Sequence, residues 1–335
     1  MKPLVSILIP AYNAGAWVAD SIRSALQQTW PRKEIIVVDD GSRDNTAEVA
    51  RSLASNEVKV VVKENEGAAA TRNHAYKLCQ GDFIQWLDAD DLLTPNKIEC
   101  QLAALQDGDQ QRTLLSSSWA HFYYRTRSRK FVQTPLCQDL TPVEWLLRKM
   151  GENFHMQTAT WLTSRVLAEA AGPWNTQLLS DDDGEYFCRV LLASTGTRFV
   201  ADCGVLYRLT PSSRLSFVGT SVRKQDALFA SIKLHLQYLR SLEDSERTRQ
   251  ACLTYLQKYY GSFYPERPDL VRSMQELATE LHGSLKEPQL RWKYAWIQPI
   301  LGWKAAKRAQ IFLPQLKSSA MRQYDKAMLR IQHES

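Results

Sequence analysis

Within about the first hundred residues, an apolar β-rich run followed by a polar loop and a helical pattern occurs four times. The runs are Val5 to Pro10, Glu34 to Val38, Val58 to Val62 and Phe83 to Leu87. Strands that alternate with helices form βαβ units, and their crossovers dictate an α/β, Rossmann-like fold: a mostly parallel sheet flanked by helices. Ligands bind such sheets beyond the carboxyl ends of the strands. The residues at those ends are the first candidates for a site.

They are polar and acidic. The first run breaks at Pro10 and continues as Ala11-Tyr12-Asn13. The second ends in Asp39-Asp40-Gly41-Ser42, after which Asn45 and Glu48 have the spacing of a capping box at a helix start. In the third loop, Asn65-Glu66-Gly67 and the alanines after it let a backbone approach a ligand, and Arg72 offers a fixed cation. The fourth run presents Asp88, Asp90 and Asp91, hard oxygen ligands suited to Mg²⁺ or Mn²⁺ carrying a phosphorylated substrate. Taken alone, an acidic run is as readily a solvated turn. Brought together, Tyr12, Asp40, Arg72 and Asp88 to Asp91 suit a nucleotide, with an aromatic face, a base acceptor, a cation and a metal for the diphosphate. No G-x-G-x-x-G follows the first strand and no G-x-x-x-x-G-K-[ST] occurs, so NAD-type and Walker-type readings lose their main support.

A second acidic cluster, Asp181-Asp182-Asp183, precedes an apolar pattern at helical spacing. It occupies a helix N-terminus, where the macrodipole favours ionised carboxylates; an exposed acidic cap is the plain alternative.

Four segments together resemble, in order, the family 2 glycosyltransferases of GT-A fold: Pro10-Ala11-Tyr12-Asn13, Val38 to Thr46, Asn65 to Asn73, and Leu87-Asp88-Ala89-Asp90-Asp91. The resemblance implies a nucleotide-sugar-binding set of Pro10, Ala11, Tyr12, Asp40, Arg72, Asp88 and Asp90. In it Tyr12 lies against the nucleobase, Asp40 hydrogen-bonds the base, and Asp88 sits near the ribose. Asp90 takes the divalent metal, Mn²⁺ or Mg²⁺, assisted by Asp91. Aligning Arg189 with an Arg on the family's helix puts its catalytic pair on Asp182 and Asp183. Asp183 is then the general base, Asp182 stands where the family has Glu, and the surplus acid Asp181 leaves the register open by one residue. Displacing a nucleoside diphosphate from a sugar C1 needs a metal to absorb charge on the phosphates and a separate carboxylate to take the acceptor's proton. The implied activity is metal-dependent, inverting transfer from a nucleotide-sugar donor, UDP-linked in the first instance, to a hydroxyl of a glycan or lipid-linked acceptor. The alternative from another class is a non-catalytic nucleotide-sugar-binding or scaffold protein of a glycan assembly complex, against which the intact acids argue.

Between the acidic sites, the segments around Trp119 to Tyr124 and Asn153 to Trp161 are rich in aromatics and amides. His155 and Trp161 are the acceptor candidates, with ordinary core the alternative for each. Tyr207, Arg208 and Arg214 fall where the family has basic residues that could lie near the diphosphate.

The expected organisation is a catalytic domain over residues 1–220, with a nucleotide half (1–110) and an acceptor half (111–220), and a helical, basic C-terminal region over 221–335. Leu228, Ile232, Leu236 and Leu239 set the helical spacing there, and Pro265 and Pro268 mark a break. Beyond it, Trp alternates with Lys and Arg from Leu290 to Leu313, as in interfacial helices, so a membrane surface is a candidate partner. The formal charge of +6 fits that partner; nucleic acid has charge in its favour but no motif. No stretch of eighteen apolar residues exists, no leader is evident, and the six cysteines form no C-x-x-C pair. The expectation is a reduced cytoplasmic chain, peripheral on the inner face of the membrane if the C-terminal helices bind there.

Overall fold

The computed structural model describes residues 1–105, 111–210 and 221–334; Arg214 lies outside them. The first unit runs β1 (Val5–Ala11), α1 (Val18–Leu26), β2 (Lys33–Asp39), α2 (Thr46–Arg51), β3 (Val58–Val62), α3 (Ala68–Leu78) and β4 (Phe83–Trp86). These strands lie in the order β3-β2-β1-β4, every pair parallel. Ile7, Leu8 and Ile9 are all fully buried. A run apolar on both faces is what a sheet covered on both sides requires.

β5 (Leu92–Leu93), α4 (Lys97–Ala103), β6 (Thr113–Phe122), β7 (Lys130–Phe131), α5 (Pro142–Glu152), β8 (Thr163–Ser164), α6 (Arg165–Ala171), α7 (Asp182–Ala193) and β9 (Gly196–Arg208) follow. β8 closes the first sheet antiparallel to β4, and a second sheet has the order β5-β9-β6-β7. Its long parallel pair, β6 and β9, slips register where Ser117 faces Val200 and Ser118 faces Gly204. A Cβ on Gly204 would collide with the Ser118 carbonyl oxygen. Gly204→Ala is therefore expected to cost about 2 kcal/mol, read as a lower urea midpoint at unchanged slope.

α2 starts where expected, after Asn45, but no capping box forms there. Asp44 takes that role, accepting the Thr46 N–H at 3.0 Å and the Gly15 N–H at 3.0 Å, and so ties α2 to the β1 loop.

The C-terminal region is α8 (Val222–Leu242), α9 (Glu246–Phe263), α10 (Pro268–Glu280), α11 (Trp292–Ala295) and α12 (Gln298–Glu334), the last interrupted at Gly302. Leu228, Ile232, Leu236 and Leu239 are buried in the same continuous core as the first sheet. α8 packs on α7, and α9 packs on α5. The helical region thus bears on the elements that carry the second acidic cluster. Among the described residues no helix is long and apolar enough to cross a membrane. All six cysteines are free.

Candidate functional site

The ends of β1 and β2 are laced together. Asn13, in the left-handed region at φ 49°, accepts the Arg43 N–H at 2.9 Å and donates its own N–H to Ser42 Oγ at 2.9 Å. This holds Tyr12, 47% exposed, with its ring open to solvent beside Pro10 and the buried Ala11. A flat exposed ring at a strand end can stack on a base.

Asp40, expected at the base, is tied to the β3–α3 loop. Its carboxylate accepts from Lys63 Nζ at 2.7 Å, the Glu66 N–H at 3.0 Å, the Gly67 N–H at 2.9 Å and Asn65 Nδ2 at 3.2 Å. Four donors fill the sites a carboxylate offers. With 3% of its surface exposed, Asp40 holds the β3–α3 loop, and a direct bond to a base would cost it one of these partners.

Arg72, on α3, is buried, with 7% of its surface exposed. Its guanidinium donates to Asp88 Oδ1 at 3.0 Å and to Asp182 Oδ2 at 2.8 Å, and lies 4.5 Å over the Trp174 ring. One planar cation therefore joins the acid at the end of β4 to the acid at the start of α7. The two acidic clusters, about ninety residues apart in the chain, form one site.

Asp90 accepts from Thr210 Oγ1 at 3.2 Å. Asp91, expected to assist at the metal, is held from within the protein. It is fully buried, accepting from Gln157 Nε2 at 2.6 Å and from the Arg208 N–H at 2.8 Å. Burial, then the nearby charges of Asp90 and Asp88, push its pKa well above the usual carboxylate range. Facing inward, its carboxyl braces the loop after β4 against Gln157 and the end of β9. Arg208 is likewise engaged, with Nη2 on Asp20 at 3.0 Å and its plane between Trp17 and Phe122. Among the described residues, no three His, Cys, Asp or Glu side chains converge as a metal cage. Asp90 with Asp88 fits the other mode, in which Mg²⁺ or Mn²⁺ takes one or two carboxylates and completes its shell with substrate phosphates and water.

At the start of α7 the three acids diverge. Asp181, left-handed at φ 57°, accepts from Ser231 Oγ of α8 at 2.6 Å. Asp182 goes to Arg72. Asp183 accepts from Thr158 Oγ1 at 2.8 Å and the Gly184 N–H at 2.9 Å, and lines a cavity of about 200 Å³. His155 and Trp161 line it too. Trp161, 1% exposed and stacked on Phe187, is a wall of the core, whereas His155 stands exposed at the rim.

Sequence reasoning missed Lys149 and Tyr259, which also line this cavity. Lys149 is 7% exposed, and among the described residues it has no hydrogen bond or ion pair. Burial opposes its charge, but the field of Asp181 and its neighbours more than offsets this and raises its pKa. Both residues sit in ordinary helical patterns, so no local signal marks them. The run from Asn153 to Trp161 did hold Thr158.

Burial lifts Asp182 to a pKa of about 6; Arg72 opposes the shift, and Asp183 and Asp88 add to it. A folded pKa above the ordinary 3.8 means that ionisation costs stability. That cost is absent at low pH, accrues as pH rises toward 6 and is complete above it. Asp182→Asn is therefore expected to gain about 2 kcal/mol on the parent between pH 4 and pH 8, while losing activity. Urea unfolding at both pH values checks it; a gap independent of pH would refute the burial of this charge.

Residues 6–153 match the family model described as Glycosyl transferase family 2. An uncharacterized glycosyltransferase of Rickettsia typhi is 38% identical over 132 residues, 39% of this chain and 41% of that one. Glycosyltransferase GlyG of Streptococcus pneumoniae is 26% identical over 220 residues, 62% of this chain and 71% of that one. The putative teichuronic acid biosynthesis glycosyltransferase TuaG of Bacillus subtilis is 38% identical over 109 residues, 32% of this chain and 43% of that one. The chain spans less than half the length of the first curated relatives it matches. Among solved structures, S. aureus TarS 1-349 in complex with UDP-GlcNAc superposes with a TM-score of 0.66 at 16% identity, over 83% of this chain and 81% of that one. Mannosyltransferase PcManGT from Pyrobaculum calidifontis, in complex with GDP-Man and Mn²⁺, gives 0.55 at 16% identity, over 97% and 88%. At such identities the likeness is one of fold, the mostly parallel sheet flanked by helices.

Proposed function

We propose that this chain, whose residues 6–153 match the family model described as Glycosyl transferase family 2, transfers a sugar from a nucleoside-diphosphate donor to a hydroxyl of a glycan or lipid-linked acceptor, with inversion at the anomeric carbon. The observation that carries the reading is the Arg72 bridge, which sets Asp88 at the strand end and Asp182-Asp183 at the helix start around one space. The UDP-GlcNAc and GDP-Man complexes of structural neighbours support the donor class, and UDP is the first nucleotide to test.

In this reading Tyr12 stacks on the base above Pro10 and Ala11, while Asp40 keeps the β3–α3 loop in place beneath it. Asp90, with Asp88, would hold Mn²⁺ or Mg²⁺, which when bound absorbs the charge that builds on the leaving diphosphate. Asp183 takes the proton of the acceptor hydroxyl as that oxygen attacks C1 from the face opposite the leaving group. Thr158 and the Gly184 N–H keep its carboxylate aimed into the cavity. The Lys149 ammonium, with no hydrogen-bond partner among the described residues, is placed to donate to an oxygen of the acceptor, and His155 stands at the entrance. A lipid-linked acceptor would bring the chain to the cytoplasmic face of a membrane.

Thermal shift against a panel of nucleoside diphosphates and their sugars, with Mn²⁺ or with EDTA, tests the donor site. A ligand at a hundredfold excess over its dissociation constant adds about 2.7 kcal/mol of apparent stability. One nucleotide is expected to act with Mn²⁺ and not with EDTA or in Asp90→Ala. No shift with any nucleotide would reject the donor reading. Binding without turnover of any nucleotide sugar would favour the scaffold alternative.

A further inference from the structure

Outside this site, the outer face of α11 and α12 stands apart. Trp292, Trp296, Phe312, Leu316, Tyr324 and Ile331 are each more than half exposed. From Phe312 through Leu316, Ala320, Tyr324 and Ala327 to Ile331 the steps are three or four residues, which places them along one side of α12. The opposite side is held. Asp325 accepts the Tyr124 N–H at 2.8 Å, the Arg125 N–H at 3.0 Å and Arg125 Nε at 2.6 Å, and Lys307 Nζ reaches Glu266 at 2.7 Å. The apolar stripe therefore belongs to a seated helix and faces away from the protein.

Its charge identifies the occupant. Residues 291–331 hold nine Lys or Arg and one Asp, whereas the rest of the chain holds 33 basic and 35 acidic residues. The whole net positive charge of the molecule sits in this segment. A second copy of the same face would set like charges against each other. Tryptophans, a narrow apolar stripe and flanking cations such as Arg308, Lys326 and Arg330, all exposed, instead match acyl chains beneath anionic headgroups.

We propose that the outer face of α11 and α12 docks this protein on an anionic lipid surface. The same helix touches the rim of the site: Arg322 Nη1 donates to the Thr210 carbonyl at 3.1 Å, and Thr210 Oγ1 donates to Asp90. Docking would thus present the site to an acceptor carried in the bilayer, which deepens the glycosyltransferase reading and rests on it for that step alone.

Sedimentation of the full chain with phosphatidylglycerol–phosphatidylcholine vesicles, and with phosphatidylcholine vesicles, tests this, with nucleotide-sugar hydrolysis read alongside. The parent is expected to bind the anionic vesicles at least tenfold better and to lose that margin at high salt. Phe312→Ser/Leu316→Ser/Tyr324→Ser should lose vesicle binding at unchanged melting temperature and hydrolysis. Arg308→Gln/Arg330→Gln should lose the salt-dependent part. Equal binding to both vesicles, no binding, or a stripe variant that binds like the parent would overturn the proposal. So would a self-association abolished by the stripe variant without any vesicle binding. Vesicle binding without hydrolysis of any nucleotide sugar would overturn the enzymatic reading and leave the docking intact.

Discussion

Replacing Asp183 with Asn is expected to lower turnover about a thousandfold while leaving the nucleotide-induced thermal shift unchanged. Asn keeps the shape: its Oδ1 can still accept the Gly184 N–H, and the Thr158 hydroxyl can turn to accept from Nδ2, so the helix start should hold. It cannot take a proton. Asp183 lines the cavity and Asp182 does not, which is why the larger kinetic effect is assigned to Asp183. Single-turnover transfer and nucleotide binding measured on the same sample check the split. Retained turnover would move the base to Asp181, the other acid on that cavity. Loss of both binding and turnover would point to a collapsed helix start and would be visible as a lowered melting temperature.

Arg72→Met carries the largest expected cost to the fold. The side chain is buried, and its removal leaves Asp88 and Asp182 close together without the cation between them. Removing one partner of a buried ion pair typically costs about 3 kcal/mol or more, because the remaining charge is stranded. The lost stacking on Trp174 adds to this. The cost should be greatest above pH 6, the pKa of Asp182 with Arg72 present, and should shrink as falling pH protonates the stranded carboxylates. Urea unfolding at pH 8 and pH 5 would show it. A penalty equal at both pH values would mean that the loss is one of packing and not of charge. Donor binding should weaken as well, since Asp88 would lose the contact that fixes it.

The strand ends were legible because a strand buried on both faces must be apolar throughout, and the first polar residue after it is where the sheet meets solvent. That reasoning placed Tyr12, Asp88 and Asp90 correctly at the carboxyl edge. It could not apportion roles among neighbouring acids. A carboxylate offers the same oxygens to a base, a metal or the backbone, and which of these it meets depends on loops distant in the chain. Asp40 is filled by residues 63–67, and Asp91 by Gln157 and the backbone of Arg208. Trp161 shows the same limit, as an aromatic that the pattern allowed on a sugar and that packing put in the wall.

By itself, the sequence determined the alternation of strands and helices, hence the parallel sheet, and the two places where acids gather, since periodicity and composition are local properties of a chain. Only the tertiary structure decided that those two places are one site, joined through Arg72. It alone aimed Asp183 and Lys149 into a common cavity, and it alone turned the apolar side of α12 outward. Each of these rests on contacts between residues far apart in the chain, whose directions depend on how layers pack, and no short window of residues encodes that.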